Sequence, residues 1–179
     1  MRHTLSVTVE NKPGVLSRVA GLFSGRGFNI ESLSVAATLD PTVSRMTIVT
    51  VGNDQIIEQI TKQLNKLINI IKVIDFVDGD FVDREMALIK VGVNEGNRAE
   101  LLSTIDIFRG KVLDISPQSY VVEITGDENK INAIIDLCKP MGIVEIARTG
   151  RVAMTRGSKS KRYQNSAKLK GGENGKNLL

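Results

Sequence analysis

The stretch RHTLSVTVENKPGVLSRVAGLFSGRGFNIE, residues 2–31, decides the fold because it contains a strand, a tight turn, a helix and the start of a second strand. Apolar and polar residues alternate over residues 5–9, which is the pattern of a half-buried strand. The NKPG turn, residues 11–14, interrupts this alternation, and its proline suits the first turn of a helix. Apolar residues then recur at helical spacing: Val15, Leu16, Val19, Leu22 and Phe23.

The turn between this strand and this helix is a candidate anion site. A helix N-terminus presents free N–H groups, and Gly14 lets a ligand come close to the backbone. If the ligand is a free amino acid, its carboxylate would bind the N–H groups of residues 11–14 and of the first helical residues. The amide of Asn11 or Asn29 could hold the carboxylate or the ammonium group, because an amide both donates and accepts.

A purely structural interpretation of the same residues stays open. Asn11 would then only cap the helix, Gly14 would only serve a Pro-Gly turn, and Asn29 would be an ordinary residue at a strand edge. Short motifs occur often by chance, so the pattern alone favours these structural roles.

The rest of the first 78 residues completes a β-α-β-β-α-β order. Residues 29–38, 45–51 and 70–77 have strand patterns, and an apolar stripe between the last two predicts a helix with Asp54 as its N-cap. This order is typical of the ferredoxin-like split βαβ arrangement.

The pattern then repeats, with REMALIKV at Arg84 corresponding to RHTLSVTV at Arg2. We therefore predict an α+β protein of two tandem ferredoxin-like βαββαβ units, at residues 1–78 and 84–150, with a linker at 79–83. In the second unit, Asn97 and Glu100 have capping-box spacing at a helix start. The turn at residues 94–98, NEGNR, is longer and contains an acid, so the first copy is the better carboxylate site.

Composition excludes several functional classes. The 179 residues are 41% hydrophobic and 25% charged, as in globular proteins, and no apolar run approaches the roughly 20 residues of a membrane span. We expect no signal peptide, because the N-terminal residues alternate.

There is no CxxC, HExxH or Walker motif, and with His3 as the only histidine no Ser-His-Asp triad can form. The single thiol, Cys138, predicts core packing and a reducing compartment. We expect no catalytic residue, metal or cofactor on this chain.

Positive charge is concentrated at the C-terminal end. Residues 151–179 contain eight of the 24 lysines and arginines but one of the 20 acidic residues. We predict a basic tail here, disordered from about residue 157. Ferredoxin-like sheets also form RNA-binding domains, but these stack bases on aromatic side chains of central strands. The strands TLSVTVE and RMTIVTV have none, so we expect no nucleic-acid partner.

Four blocks of this sequence closely resemble the small regulatory subunits of acetohydroxyacid (acetolactate) synthase. They are residues 2–36, SRMTIVTVG, GKVLDISPQSYVVEITG and IVEIARTGRVAMTRG. The resemblance covers about residues 1–157 in order, with the spacing between blocks retained.

The resemblance implies an N-terminal ACT domain, which binds amino acids between paired copies, and a C-terminal ACT-like domain. It implies a homodimer through the ACT domain and no active site on this chain. The partner would be a large catalytic subunit that uses thiamine diphosphate, Mg2+ and FAD, which the small subunit activates and makes sensitive to feedback inhibition by valine or a related branched-chain amino acid.

The resemblance also implies which residues bind the effector. The matching positions are Asn11, Gly14 and Asn29, with Lys12, Pro13 and Val15 beside them. In such dimers Asn29 is expected to face the turn of the other chain. A cytoplasmic location, or the plastid stroma for a plastid-encoded copy, is expected. A stand-alone amino-acid sensor that acts on another partner is the alternative.

Overall fold

The computed structural model describes residues 1–76 and 81–157. The N-terminal domain contains, in chain order, β1 (Arg2–Glu10), α1 (Val15–Ser24), β2 (Ile30–Ala37), β3 (Val43–Val51), α2 (Asp54–Leu64) and β4 (Ile70–Phe76). The C-terminal domain contains β5 (Phe81–Gly92), α3 (Arg98–Ile107), β6 (Lys111–Ile115), β7 (Ser119–Gly126), α4 (Glu128–Cys138), a 3₁₀ turn (Lys139–Met141), β8 (Ile143–Arg148) and β9 (Val152–Thr155). The tandem βαββαβ order predicted from the sequence is confirmed.

Both domains form an antiparallel sheet with the same strand order. The first sheet has the order β2-β3-β1-β4 and the second the order β6-β7-β5-β8, with β9 added beside the start of β5. In each sheet the first and third strands of the unit are central and the second is an edge. This is the ferredoxin-like arrangement that the internal repeat predicts.

Alternation along the strands separates a core face from a second face. Leu5, Val7 and Val9 of β1 are buried and pack with Val19 and Phe23 of α1 in one apolar cluster. Burial of each such side chain stabilises the domain by about 1.5–3 kcal/mol. The C-terminal domain has its own cluster, so each unit folds around a separate core.

Leu16 departs from the apolar stripe that the sequence predicts for α1. Its side chain is 43% exposed, although its neighbours in the stripe are buried. Leu16 therefore lies beside the preceding turn as an apolar surface residue.

Two helices begin differently from the prediction. The N-cap of α2 is Asn53, whose side chain accepts a hydrogen bond from the N–H of Ile56 at 2.9 Å, and Asp54 is the first helical residue. The capping box predicted from Asn97 and Glu100 is wrong, because Asn97 has helical backbone angles and makes no side-chain cap to α3. Its amide oxygen instead accepts the N–H of Asn94.

The junction between the domains also differs from the prediction. Residues 81–83, assigned to a linker, form the start of β5, and residues 152–155, assigned to the tail, form β9. The two segments pair with each other, with Val82 opposite Met154. Neither the start of β5 nor β9 is recognisable in the sequence, because DGDFVD is acidic and β9 has only four residues. The remaining linker residues, 79 and 80, and the disorder predicted beyond residue 157 lie outside the described residues.

Cys138 lies at the end of α4 with its side chain fully buried in the C-terminal core, as the sequence predicts. Burial raises the pKa of this thiol. None of the helices that the structure describes is long and apolar enough to cross a membrane.

Candidate functional site

The turn at residues 11–14 connects the end of β1 to the start of α1, and all four residues are exposed. Asn11 is fixed against the loop before β3: its backbone N–H donates to the carbonyl of Thr42 at 2.7 Å, and its Nδ2 donates to the carbonyl of Pro41 at 2.8 Å. The structural interpretation in which Asn11 caps the helix is therefore wrong. The Asn11 residue is nevertheless exposed beside the turn.

Gly14 is the N-cap of α1 and has a left-handed backbone, with φ of 81°. This conformation disfavours side chains with a Cβ, which explains glycine here. A Cβ built at Gly14 would have no atom within 4 Å, so the space above the turn is open. No side chain caps this helix.

The start of α1 consequently presents N–H groups to solvent. The first helical N–H groups lack partners one turn earlier, and the positive end of the helix dipole lies at the same point. Part of the predicted donor set is already used: Asn11 N–H donates to Thr42, Lys12 N–H to the carbonyl of Glu10 at 3.0 Å and Val15 N–H to the carbonyl of Lys12 at 3.3 Å. Proline has no N–H. Among the described residues, the donors left for a ligand are those of Gly14 and of the next helical residues, 16 and 17. An exposed, uncapped helix start with an open approach suits a small carboxylate.

A polar network joins residues beside the turn, and it was not predicted from the sequence. The carboxylate of Glu10 accepts a hydrogen bond from Asn69 Nδ2 at 2.6 Å and forms an ion pair with Lys12 Nζ at 3.0 Å. Arg18 Nη1 donates to Asn69 Oδ1 at 2.5 Å. The hydrogen bond from Asn69, followed by that from Lys12, lowers the pKa of Glu10. Lys12 is therefore directed toward Glu10. The 59 positions between Glu10 and Asn69 put this pair beyond short-range pattern analysis.

The remaining two residues of the predicted effector site, Val15 and Pro13, have smaller parts. The Val15 side chain is 3% exposed and packs in the core, so only its backbone is available at the turn. Pro13 is exposed and directly precedes Gly14.

Asn29 lies at the opposite end of the same sheet. Its neighbour Ile30 pairs with Thr50 of β3, and Thr50 pairs with His3 at the start of β1. Asn11, in contrast, follows the other end of β1. Seven strand residues separate these ends, which is roughly 23 Å. The Asn29 side chain is exposed, and its backbone carbonyl accepts the hydroxyl of Thr50 at 2.7 Å. Within one chain, the structure does not bring Asn29 to the turn.

The corresponding turn of the C-terminal domain is closed by its own side chains. Asn94 Oδ1 accepts the N–H groups of Gly96 and Asn97 at 2.8 and 3.0 Å, and Asn97 Oδ1 accepts the N–H of Asn94 at 2.8 Å. Donors that an anion would need are already used. Nor do residues 1–76 and 81–157 contain a group of three or more His, Cys, Asp or Glu side chains placed to hold a metal ion.

Comparison with known proteins agrees with this architecture. The family described as AHAS small subunit-like ACT domain matches residues 5–72, and the family described as small subunit of acetolactate synthase matches residues 84–157. Among curated relatives, the probable acetolactate synthase small subunit of Archaeoglobus fulgidus is 54% identical over 89% of this chain and 99% of its own. The acetolactate synthase small subunit of Mycobacterium bovis is 54% identical over 87% of this chain and 92% of its own.

A solved structure gives the same result for the fold. The crystal structure of the acetolactate synthase small subunit from Thermotoga maritima superposes with a TM-score of 0.83 at 44% identity, over 88% of this chain and 99% of that one. The fold is that of tandem ACT-type regulatory proteins. The chain belongs to the family of acetolactate synthase small subunits, which are regulatory subunits without an active site of their own.

Proposed function

We propose that this protein activates the catalytic subunit of acetolactate synthase and makes it sensitive to feedback inhibition by valine or a related branched-chain amino acid. The observation that carries the proposal is the open, uncapped helix start at Gly14, next to the surface amide of Asn11. The effector's carboxylate binds the N–H groups at this helix start. Leu16, the second residue of α1, has an exposed side chain and offers apolar contact for the effector's aliphatic side chain.

The site is completed by a second copy of the chain. The strand β2 is an edge of the first sheet, and residues 35–37 on it are exposed. If two copies align β2 with β2 in antiparallel fashion, the Asn29 end of one strand meets the Ala37 end of the other. That end of the sheet is also where the turn at residues 11–14 lies, because Ala37 aligns with Ser44 and Val9. Asn29 of one chain then approaches the turn of its partner, and the effector binds between them.

Thiamine diphosphate, Mg2+ and FAD belong, in this proposal, to the large catalytic subunit. The names of the curated relatives support a partner of this kind, because a small subunit implies a larger one. Those relatives include archaeal and bacterial proteins, which supports a cytoplasmic location. No nucleic-acid partner is included, since the central strands β1 and β3 contain no aromatic residue.

Inhibition requires that valine bind one state of the holoenzyme more tightly than the other, because a ligand with equal affinity shifts no equilibrium. The test is reconstitution of acetolactate synthase activity from the purified catalytic subunit with and without this chain, each in the presence and absence of valine. We expect this chain to raise the activity and valine to lower only the raised activity.

The same experiment separates this proposal from the alternatives. No change in activity on adding the chain, together with measurable valine binding, would instead support a stand-alone sensor that acts on another protein. Tight, sequence-dependent RNA binding that survives moderate salt would contradict both, since binding through basic residues alone is weakened by salt.

A further inference from the structure

A cluster of charged residues lines a cavity of about 340 Å³ between the two domains. Arginine and glutamate side chains from both domains contribute to it: Arg2, Glu31, Glu85, Glu128, Arg148 and Arg151. The cluster is formed by residues far apart in the chain, since Arg2 and Glu128 are 126 positions apart and are ion-paired. It is therefore a tertiary contact between the domains and lies away from the effector turn.

Arg151 makes the largest number of these connections. Its Nη1 donates to the hydroxyl of Thr4 in β1 at 3.0 Å, its Nε pairs with Asp83 at 3.1 Å, and its Nη2 donates to Glu128. The Arg151 side chain is 16% exposed. One guanidinium thus bonds the central strand of the N-terminal domain and two elements of the C-terminal domain, using the rigid fork geometry of arginine.

Glu128 is shared between the domains. It lies in the first turn of α4, where the helix dipole favours a carboxylate, and it binds both Arg151 and Arg2. Partial burial opposes ionisation of Glu128, but the hydrogen bond from Arg2 and the charges around it lower its pKa overall. The carboxylate is therefore ionised at neutral pH and ties β1 to α4.

The backbone before Arg151 contacts strand β2 directly. Arg151 N–H donates to Ser32 Oγ at 3.1 Å, and a Cβ built on Gly150 would lie 2.4 Å from the same oxygen. Gly150 also has a left-handed backbone, with φ of 75°. Ser32 is three residues after Asn29, at the point where the pairing of β2 with β3 shifts register.

We propose that Ser32, Glu128, Gly150 and Arg151 form a domain latch that transmits effector binding from strand β2 to the C-terminal domain. This inference rests on the proposed function, since it requires that an effector bind near Asn29. A displacement of β2 moves Ser32, and the hydrogen bond from Arg151 N–H together with the close approach of Gly150 carries that displacement into the segment between β8 and β9. The C-terminal domain then changes its position relative to the ACT domain, or the latch opens.

The latch gives the small subunit two arrangements between which an effector can discriminate. Coupling between sites requires such a pair of states. With the latch closed, a shift at Asn29 reaches the C-terminal domain through hydrogen bonds and van der Waals contact. With the latch open, valine still binds, but its binding no longer changes the activity of the partner subunit.

The test uses Gly150→Ala, which puts a methyl group against Ser32 Oγ, in the full chain reconstituted with the catalytic subunit. Gly142→Ala is the matched control: Gly142 has φ of 92°, but nothing lies within 4 Å of its Cβ position. Both variants have backbone strain, and only the first disturbs the latch. Valine affinity is measured calorimetrically on the small subunit, and residual synthase activity is measured at saturating valine.

We expect Gly150→Ala to bind valine normally and to lose at least about fivefold in the inhibition that saturating valine produces, the lower end of usual coupling energies. Gly142→Ala should behave as the wild type. Full inhibition of the Gly150→Ala holoenzyme would overturn the latch, and so would an equal loss in Gly142→Ala. A wild-type chain that binds none of valine, leucine and isoleucine would refute the proposed function itself, and this is seen before any variant is made.

Ser32→Ala keeps the test valid if Gly150→Ala fails to fold. This change removes the acceptor of Arg151 N–H and adds no atom, and Ser34→Ala on the same strand is its control. Ser32→Ala should reduce maximal inhibition while Ser34→Ala does not. Equal inhibition in the two serine variants would contradict the latch.

Discussion

The two strand-to-helix turns of this molecule have the same place in the same topology, yet they differ in the backbone donors that they leave available at the helix start. At the first turn, Gly14 leaves the start of α1 without a side-chain cap, and Asn11 Nδ2 donates to the carbonyl of Pro41 in the loop before β3. At the second, the amide oxygen of Asn94 occupies the N–H groups of Gly96 and Asn97. The repeat therefore preserved the fold while one copy closed the turn.

Whether such a turn can bind an anion therefore depends on the backbone donors that it leaves unused. Both turns contain asparagine and glycine, so the presence of these two residue types does not distinguish them. A side-chain oxygen that already accepts backbone N–H groups leaves nothing for a ligand.

Gly14→Asp should abolish valine inhibition, because it puts a carboxylate where the effector's carboxylate binds. Gly14→Asn is the matched control, since it has the same shape and the same cost at φ of 81° but no charge. We expect the aspartate variant to bind valine at least about tenfold more weakly than the asparagine variant, or about 1.4 kcal/mol. Calorimetry measures the affinity, and activation of the catalytic subunit verifies folding. Equal affinities in the two variants would refute the site.

Mixing two defective chains should restore part of the binding. A dimer of one Gly14→Asp chain and one Asn29→Ala chain has one site with both defects and one site with none, if each site is shared between chains. Random mixing of equal amounts should then recover about a quarter of the wild-type sites. The number of sites is measured by calorimetry after the two variants are mixed and allowed to exchange. No recovery would show that Asn29 and the turn do not share a site.

Asn94→Ala and Asn11→Ala should have opposite effects. Asn94→Ala leaves two backbone N–H groups without their acceptor and should destabilise the C-terminal domain by about 1 kcal/mol, with valine inhibition unchanged. Asn11→Ala loses an exposed hydrogen bond to Pro41, which should cost less than about 0.5 kcal/mol in stability, but should weaken valine binding. Urea unfolding and valine titration of both variants are the measurements. A larger loss of stability in Asn11→Ala would reverse the comparison.

The smallest expected effect is a pH dependence at the first turn. The pKa of Glu10 is lowered in the folded protein by Asn69 and Lys12, so its contribution to stability is present above its ordinary value of 4.5 and is lost as pH falls through the lower folded value. The difference in unfolding midpoint between wild type and Glu10→Gln should therefore shrink as pH falls below 4.5. Glu95→Gln, at an exposed residue of the second turn, is the control. A constant difference would show that the Glu10 network does not stabilise the turn through its charge.

Local periodicity was sufficient to predict most of the fold. Alternation at Leu5, Val7 and Val9 and the helical stripe at Val19 and Phe23 are visible in the sequence because burial of one face imposes them. The fold class, the repeat and the buried Cys138 followed from such patterns. Cap positions were less certain: Asn53 and Asp54 are both good caps, and only the backbone angles distinguish them.

Contacts between distant residues could not be predicted from one sequence. Glu10 meets Asn69, and Arg151 meets Thr4 across 147 positions, because the sheets and domains bring them together. Arg151 was assigned to a basic tail on composition alone, although its charge is used inside the molecule. The length and the acid of the Asn94 turn predict a poorer carboxylate site, and the structure adds a further difference, the acceptor that Asn94 provides to Gly96 and Asn97.

The buried thiol of Cys138 makes the C-terminal domain separately observable. It is the single cysteine of the chain, it is fully buried, and burial raises its pKa, so a thiol reagent reacts with it only after that domain opens. The rate of labelling therefore reports the opening of one core, while the ACT core contributes no signal. Comparing the labelling rate with and without valine measures whether an effector bound at the first domain slows the opening of the second.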